Sequence, residues 1–316
     1  MTEIVALGET MVSFVPASSG PLRYIRRFES RIAGAESNVA IGAAKLGHSA
    51  AWISALGEDE FGHYIENSIR AEGVDTSHIH YDKNFKTGIM FKQMRTADET
   101  SVFYYRENSA ASHINEQIIH PELIASAEIF HTTGITPVLS KSCEDAVKAC
   151  VSIAIENGTL FSFDPNIRKK LWLGKDYTRM VTELLLRADI VLMGLDEAEM
   201  LFQTAQHARL FDLLFTNGRA SYVAVKDGKN GAVIANRKEQ VQVLPHPCCC
   251  IDPIGAGDAF DSAFLCGILE GKDLATCGRM GAIAGALATE TYGDTEGYPT
   301  LRIMNSVLNN QSDIFR

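Results

Sequence analysis

The stretch that most limits what this chain can fold into is Asp252-Pro253-Ile254-Gly255-Ala256-Gly257-Asp258. Past it, Phe260, Ala263, Phe264 and Ile268 recur at helical spacing, so a glycine-rich turn feeds an amphipathic helix. Such a turn leaves backbone N–H groups unpaired at the positive end of the helix dipole, an arrangement that suits an anion. Asp258 in the first turn then stands as a base beside that anion. The combination points to phosphoryl transfer onto a hydroxyl. The plainer alternative is a helix-start carboxylate that serves only the dipole.

Composition narrows the partners. With 29 Lys and Arg against 39 Asp and Glu, the formal net charge of −10 argues against a general electrostatic nucleic-acid binder. An anionic substrate must be met by local cations. The opening MTEIVALGET has no basic run followed by a long apolar one, and no stretch is apolar enough for a bilayer, so neither a signal peptide nor a membrane span is expected. Seven cysteines, an odd number without a C-x-x-C pair, indicate neither a disulfide framework nor a zinc ribbon. Cys248-Cys249-Cys250 reads as reduced thiols in a β-like run. Together these features suggest a cytoplasmic protein.

Short apolar runs alternate with helical patterns. Strands are expected at Ile4–Leu7, Ala51–Leu56, Ile129–Thr132, Leu160–Phe163, Ile190–Met193, Tyr222–Val225 and Ala232–Ala235. Helices are expected at Glu36–Leu46, after an Asp59 cap, and at Ser140–Asn157, Tyr177–Arg187, Gly255–Gly271 and Leu274–Thr289. This alternation argues for an α/β fold around a mostly parallel, doubly wound sheet. Val12–Ile32 and Phe85–Arg106 break it with β-type segments, the second a hairpin turning through Thr96–Thr100. They predict a small antiparallel sheet, either a lid over a ligand or an edge extension of the main sheet. One core domain spanning 1–316, with an inserted β lid from approximately 12–32 and 85–106, is the expected organisation.

Several phosphate-binding scaffolds are absent. The chain has no G-x-x-x-x-G-K-[ST], no protein-kinase catalytic pattern, and only Gly8 after the first strand where a dinucleotide fingerprint would begin. DPIGAGD instead resembles the C-terminal signature of the ribokinase-like, PfkB-type carbohydrate kinases. Gly34-Ala35-Glu36-Ser37-Asn38-Val39-Ala40, Leu46-Gly47 and Gly57-Glu58-Asp59 with Gly62 are similar to that family's sugar-binding segment. The resemblance runs to Pro299-Thr300 and implies a three-layer ribokinase-like fold with a small β lid.

It also implies roles. Asp258 takes the proton of the attacking hydroxyl, and Gly255, Ala256 and Gly257 form an anion hole for the transferring phosphoryl group. Gly34 and Asn38 lie in the sugar-binding block. Val225-Lys226-Asp227-Gly228 with Gly231 resembles the strand-end turn that holds the nucleotide, to which Gly255, Gly257 and Asn166 also contribute; taken alone it is an ordinary hairpin turn. Gly194-x-x-Glu197 stands where the family has Asn-x-x-Glu, a motif linked to magnesium, so only Glu197 is carried over; its plain reading is a helix-start acid. Asp252 either shapes the loop or helps bind a monovalent cation such as K+. Asp261-Ser262 departs from the small apolar residues usual there. ATP is the implied donor, with Mg2+.

Two arginine-bearing segments bear on the acceptor: Tyr104-Tyr105-Arg106, and Asp164-Pro165-Asn166-Ile167-Arg168. The guanidinium fork suits carboxylates. The segments resemble those of 2-keto-3-deoxygluconate kinases, which implies that Tyr105, Arg106 and Arg168 bind a sugar acid, 2-dehydro-3-deoxy-D-gluconate, phosphorylated to its 6-phosphate. The alternatives are a kinase of a neutral sugar such as fructose or ribose, a non-catalytic sugar or nucleotide sensor, and, for each arginine, a surface ion pair or a phosphate contact. Exposed lid edges suggest a homo-oligomer.

Overall fold

A computed structural model describes residues 2–96 and 99–309, the backbone alone at 94–96 and 99–100. Among the described residues the strands are β1 (Ile4–Leu7), β2 (Met11–Pro16), β3 (Phe28–Ala33), β4 (Ala50–Gly57), β5 (Ile79–Asp82), β6 (Ile89–Thr96), β7 (Glu99–Tyr105), β8 (Ile129–Thr133), β9 (Leu160–Asp164), β10 (Ile190–Gly194), β11 (Tyr222–Lys226), β12 (Ala232–Asn236) and β13 (Gln240–Val243). Nine form one sheet, in the order β13-β12-β11-β10-β9-β8-β1-β4-β5. It is parallel from β11 through β5, and antiparallel where β12 and β13 are added.

Alternation along each strand explains the three layers. Ile4, Ala6, Trp52, Ile190 and Leu192 enter one core, with Val39, Ala263, Phe264, Ile283 and Met304 of the helices Ala35–Lys45, Ala256–Leu269, Leu274–Ala288 and Leu301–Leu308. Val5, Leu7, Ile53, Val191 and Met193 enter the other, against the helices Lys141–Asn157, Thr178–Arg187, Leu195–Phe202 and His207–Asn217. A parallel sheet buried on both faces needs apolar strands, and burial of β1, β4 and β8 is complete along their lengths. Each large side chain so buried contributes about 1.5–3 kcal/mol.

Helix ends follow their caps. Asp59 accepts from Gly62 N at 2.9 Å and starts the helix Glu60–Ala71; Ser140 accepts from Cys143 N at 3.1 Å; Gly158, at φ 78°, closes Lys141–Asn157 in the left-handed conformation. The expected strands and helices are present to within a residue or two. The short strands β5 and β13 and the helices Leu195–Phe202, His207–Asn217 and Leu301–Leu308 are additions.

The second sheet has the order β3-β2-β6-β7. It is not wholly antiparallel as expected: β2 pairs with β6 in parallel, Val12 opposite Ile89. β3 of the small sheet and then β4 and β5 of the main sheet lie between them in the chain, so β6 returns to β2 by a long crossover instead of a hairpin. Residues 97–98 of the expected turn lie outside the described residues. Among the described residues its own buried core is Met11, Ala33 and Met90, so it holds less apolar burial than the main sheet. Cys248–Cys250 is not in a strand; the three thiols lie exposed in the segment after β13. Among the described residues no helix is long and apolar enough to cross a membrane.

Candidate active site

The C-terminal ends of β1, β8, β9, β10 and β11 converge on the start of the helix Ala256–Leu269, at the sheet edge where open α/β folds bind ligands. Gly255 caps that helix at φ 82°, which favours glycine. A Cβ there would also lie 2.2 Å from the carbonyl oxygen of Asp294, so the turn 293–297 packs directly on the loop. The Tyr298 hydroxyl donates to Gly255 O at 2.9 Å and fixes it from below. Gly257 remains exposed, and the first N–H groups of the helix are free of intrahelical partners by geometry.

Asp258 follows, buried to 7 % exposure. Asn38 Nδ2 donates to its Oδ2 at 2.7 Å, and Asn166 Nδ2 lies 3.4 Å from its Oδ1. Desolvation pushes its carboxyl up to about 7, against the pull of the Asn38 hydrogen bond and the Arg168 guanidinium. A carboxylate so poised is suited to accept a proton near neutrality. Asn38 Oδ1 is buried without a hydrogen-bond partner among the described residues, an acceptor beside the Asp258 carboxylate. Gly34 caps the helix that carries Asn38; a Cβ on it would sit 2.4 Å from Thr10 Oγ1.

Asn166 was expected on the nucleotide side, but it stands against the Asp258 carboxylate. Its backbone is in the left-handed region, φ 37°, held by an Asp164 Oδ1 contact to its own N–H at 2.8 Å. Lys226, also expected to meet nucleotide, turns inward. Its Nζ lies 2.8 Å from Asp164 Oδ2 and 2.8 Å from Asp261 Oδ1, joining β9, β11 and the catalytic-loop helix. Desolvation raises the Asp164 carboxyl, but the ammonium and the hydrogen bonds from Asp261 and Asn166 N together hold it low; Asp261 is pushed up by its own burial. Gly228 and Gly231, both at positive φ, shape the exposed β11–β12 turn; a Cβ on Gly231 would meet Val243 O at 2.1 Å.

Glu197 does not face an open metal cradle. Its Oε2 accepts from Gly194 N at 2.8 Å and its Oε1 from Ile167 N at 2.6 Å, so it caps the helix Leu195–Phe202 and ties down the loop carrying Arg168. Desolvation raises its carboxyl to about 7. Among the described residues no group of three or more His, Cys, Asp or Glu side chains could hold a metal. Mg2+ fits this site only in company with nucleotide phosphates, its usual mode of binding.

Tyr105 is 63 % exposed on β7, but Arg106 is buried and ion-paired with Glu9. Ser109 Oγ donates to the same Glu9 carboxylate at 2.6 Å, and Arg106 Nε has no partner. Arg168 is exposed. Asp252 meets a lysine: the fully buried Lys92 of β6 places Nζ 3.7 Å from Asp252 Oδ2 and 3.0 Å from Asp294 Oδ1. Sequence reasoning missed Lys92, Asp294, Asp164 and Glu9. One signal was available for Lys92: it is two residues past the inward-facing Met90, hence on the core side of its strand.

A buried carboxylate poised near neutrality beside a glycine-lined helix start is an arrangement suited to moving a phosphoryl group onto an alcohol. Residues 1–301 match the model of the pfkB family of carbohydrate kinases, and the chain belongs to that family. Its relatives include 2-dehydro-3-deoxygluconokinase of Bacillus subtilis, 33 % identical over 99 % of this chain and 97 % of that one. A probable fructokinase, fructokinase-5 of Arabidopsis thaliana, is 32 % identical over 90 % of this chain and 88 % of that one. Among solved structures, a candidate ribokinase II of E. coli in complex with ATP and Mg2+ superposes with a TM-score of 0.91 at 26 % identity, covering 98 % of this chain and 100 % of that one. The chain is therefore a carbohydrate kinase with the ribokinase-like fold.

Proposed function

We propose that the chain phosphorylates a sugar acid with ATP, and that 2-dehydro-3-deoxy-D-gluconate, converted to its 6-phosphate, is the acceptor. The observation that carries this reading is the pairing of the poised Asp258 with an exposed arginine, Arg168, whose charge reaches it. The 33 % identity to a 2-dehydro-3-deoxygluconokinase supports the choice of acid.

In this reading the Asp258 carboxylate takes the proton of the sugar's terminal hydroxyl. That oxygen bonds to the γ-phosphorus as the bond to the bridging oxygen breaks, and ADP leaves. The N–H groups of Gly255, Ala256 and Gly257 receive the charge on the transferring group. Mg2+, when bound with the nucleotide, neutralises phosphate charge. Asn38 holds the Asp258 carboxylate and offers its free Oδ1 to the sugar. Gly228 and Gly231 border the nucleotide, and Lys226 fixes the strand ends beneath it. Tyr105 and Arg168 grip the acid, while Arg106 presents its unpartnered Nε from the lid edge.

One observation favours a second reading, a neutral-sugar kinase. The Arg106 guanidinium is already neutralised by Glu9, which lessens its pull on a substrate carboxylate. A coupled ADP-release screen over ketodeoxy sugar acids, neutral sugars and nucleosides separates the two. The sugar-acid reading expects kcat/KM at least about tenfold higher for the acid than for any neutral hexose or pentose. The reverse order overturns it.

A further inference from the structure

A fully buried lysine needs a reason, because an ammonium is strongly hydrated and its desolvation is repaid only by good partners. Lys92 is 0 % exposed and belongs to β6, an inner strand of the small sheet, yet its partners belong to the main domain. Asp294 Oδ1 lies 3.0 Å from its Nζ and Asp252 Oδ2 lies 3.7 Å away, the latter oxygen with no hydrogen bond of its own.

Both acids are wired to the reacting groups. Asp252 Oδ1 accepts from Ile254 N at 3.2 Å, which shapes the turn into Gly255. The Asp294 carbonyl is the surface against which Gly255 packs, and Asp294 Oδ2 lies 3.5 Å from the Asn38 Nδ2 that donates to Asp258. The ammonium thus stands next to the turn into Gly255, between two carboxylates on which a monovalent cation beside Asp252 would draw. K+ does not fit there beside it: the two positive charges would compete for the same oxygens in a buried space.

We propose that the Lys92 ammonium is a tethered replacement for a monovalent cation behind the catalytic loop, so that turnover needs no added K+ and the loop is organised only when β6 is seated. This rests on the kinase reading of the site. Lys92 acts as a positioning residue, through Asp252 and Asp294, and touches neither sugar nor nucleotide.

The test uses the full chain at constant ionic strength in tetramethylammonium chloride, KCl or NH4Cl. ADP release by the wild type should agree within about twofold among the three salts. Lys92→Ala should lose turnover by about tenfold or more in tetramethylammonium, and recover a large part of it in KCl or NH4Cl, whose cations fit the vacated space. Its melting temperature should rise in K+ or NH4+ relative to tetramethylammonium, with no such rise for the wild type. Lys92→Gln, closer in volume, repeats both measurements if the alanine variant does not fold. A wild type stimulated severalfold by KCl overturns the proposal, as does a folded Lys92 variant with normal turnover or with a deficit that no cation repairs. A wild type inactive on every sugar tested would instead overturn the kinase reading, while the melting measurements still report on the ion.

Discussion

Asn38 donates to Asp258 across 220 residues of sequence, at 2.7 Å, and so joins the start of the first long helix to the start of the catalytic-loop helix. The contact orients the Asp258 carboxylate in the first turn of that helix. If Asp258 is the base, Asp258→Asn keeps the shape of the site but cannot take a proton. Turnover should fall by about 10² or more, with sugar binding by calorimetry little changed. Near-normal turnover in that variant would remove Asp258 from this role.

Burial raises the Asp258 carboxyl from 3.8 to about 7, and two pH profiles follow. The kcat/KM of the free enzyme should climb with pH to a plateau above about 7, as the base ionises. Stability should move the other way. The unfolded chain releases this proton near 3.8 and the folded chain near 7, so the folded state holds the extra proton between those values. The stabilisation is present in full below the lower value, declines as pH rises across the window, and is gone above the upper one. Asp258→Asn has no such decline, so its melting temperature should gain on the wild type as pH increases from about 4 to about 7. A difference independent of pH would count against the shifted carboxyl.

Lys226 gives a prediction of a different kind. With its ammonium between Asp164 and Asp261, Lys226→Met leaves the buried Asp164–Asp261 pair without its counter-ion. Destabilisation of about 3–5 kcal/mol is expected in urea melts. A nucleotide-contact role predicts instead a raised KM for ATP with stability unchanged, so the two measurements separate the roles.

These cases show how far the sequence was legible. Asp258 stood out because its whole setting, a glycine turn and a helix start, is contiguous in the chain. The strands of the main sheet were legible for a related reason: a parallel sheet covered on both faces demands unbroken apolar runs such as Ile4–Leu7. The parallel pairing of β2 with β6 was not, because register between strands joined by a long crossover leaves no local signature. Nor was the Lys92–Asp294 pair, whose members are 202 residues apart. Lys226 and Glu197 were visible as motif residues, but their partners decide their roles, and those partners are a carboxylate pair and two backbone amides.

The small sheet leaves β3 and β7 as open edges, and Phe103 and Tyr105 on β7 are 43 % and 63 % exposed. Unpaired edges with exposed aromatics invite pairing with a second copy. Sedimentation velocity should therefore show a dimer or larger assembly that Phe103→Lys weakens. A monomer at all concentrations would end the idea.

The two arginines make the sharpest test of substrate. Arg168 is exposed and its charge reaches Asp258, whereas Arg106 is buried against Glu9. Arg168→Ala should therefore raise KM for a sugar acid by about tenfold or more, and for its neutral analogue far less, because only the acid loses a charge-assisted contact. Arg106→Ala should cost stability as well, since among the described residues it leaves the Glu9 carboxylate buried with the Ser109 hydroxyl as its remaining side-chain partner. The double variant Glu9→Gln with Arg106→Gln removes that penalty and isolates any contact of the guanidinium with substrate. If it binds acid and neutral sugar as the wild type does, Arg106 belongs to the scaffold and Arg168 alone reads the carboxylate. Equal losses for acid and neutral sugar in Arg168→Ala would shift the reading to a neutral-sugar kinase.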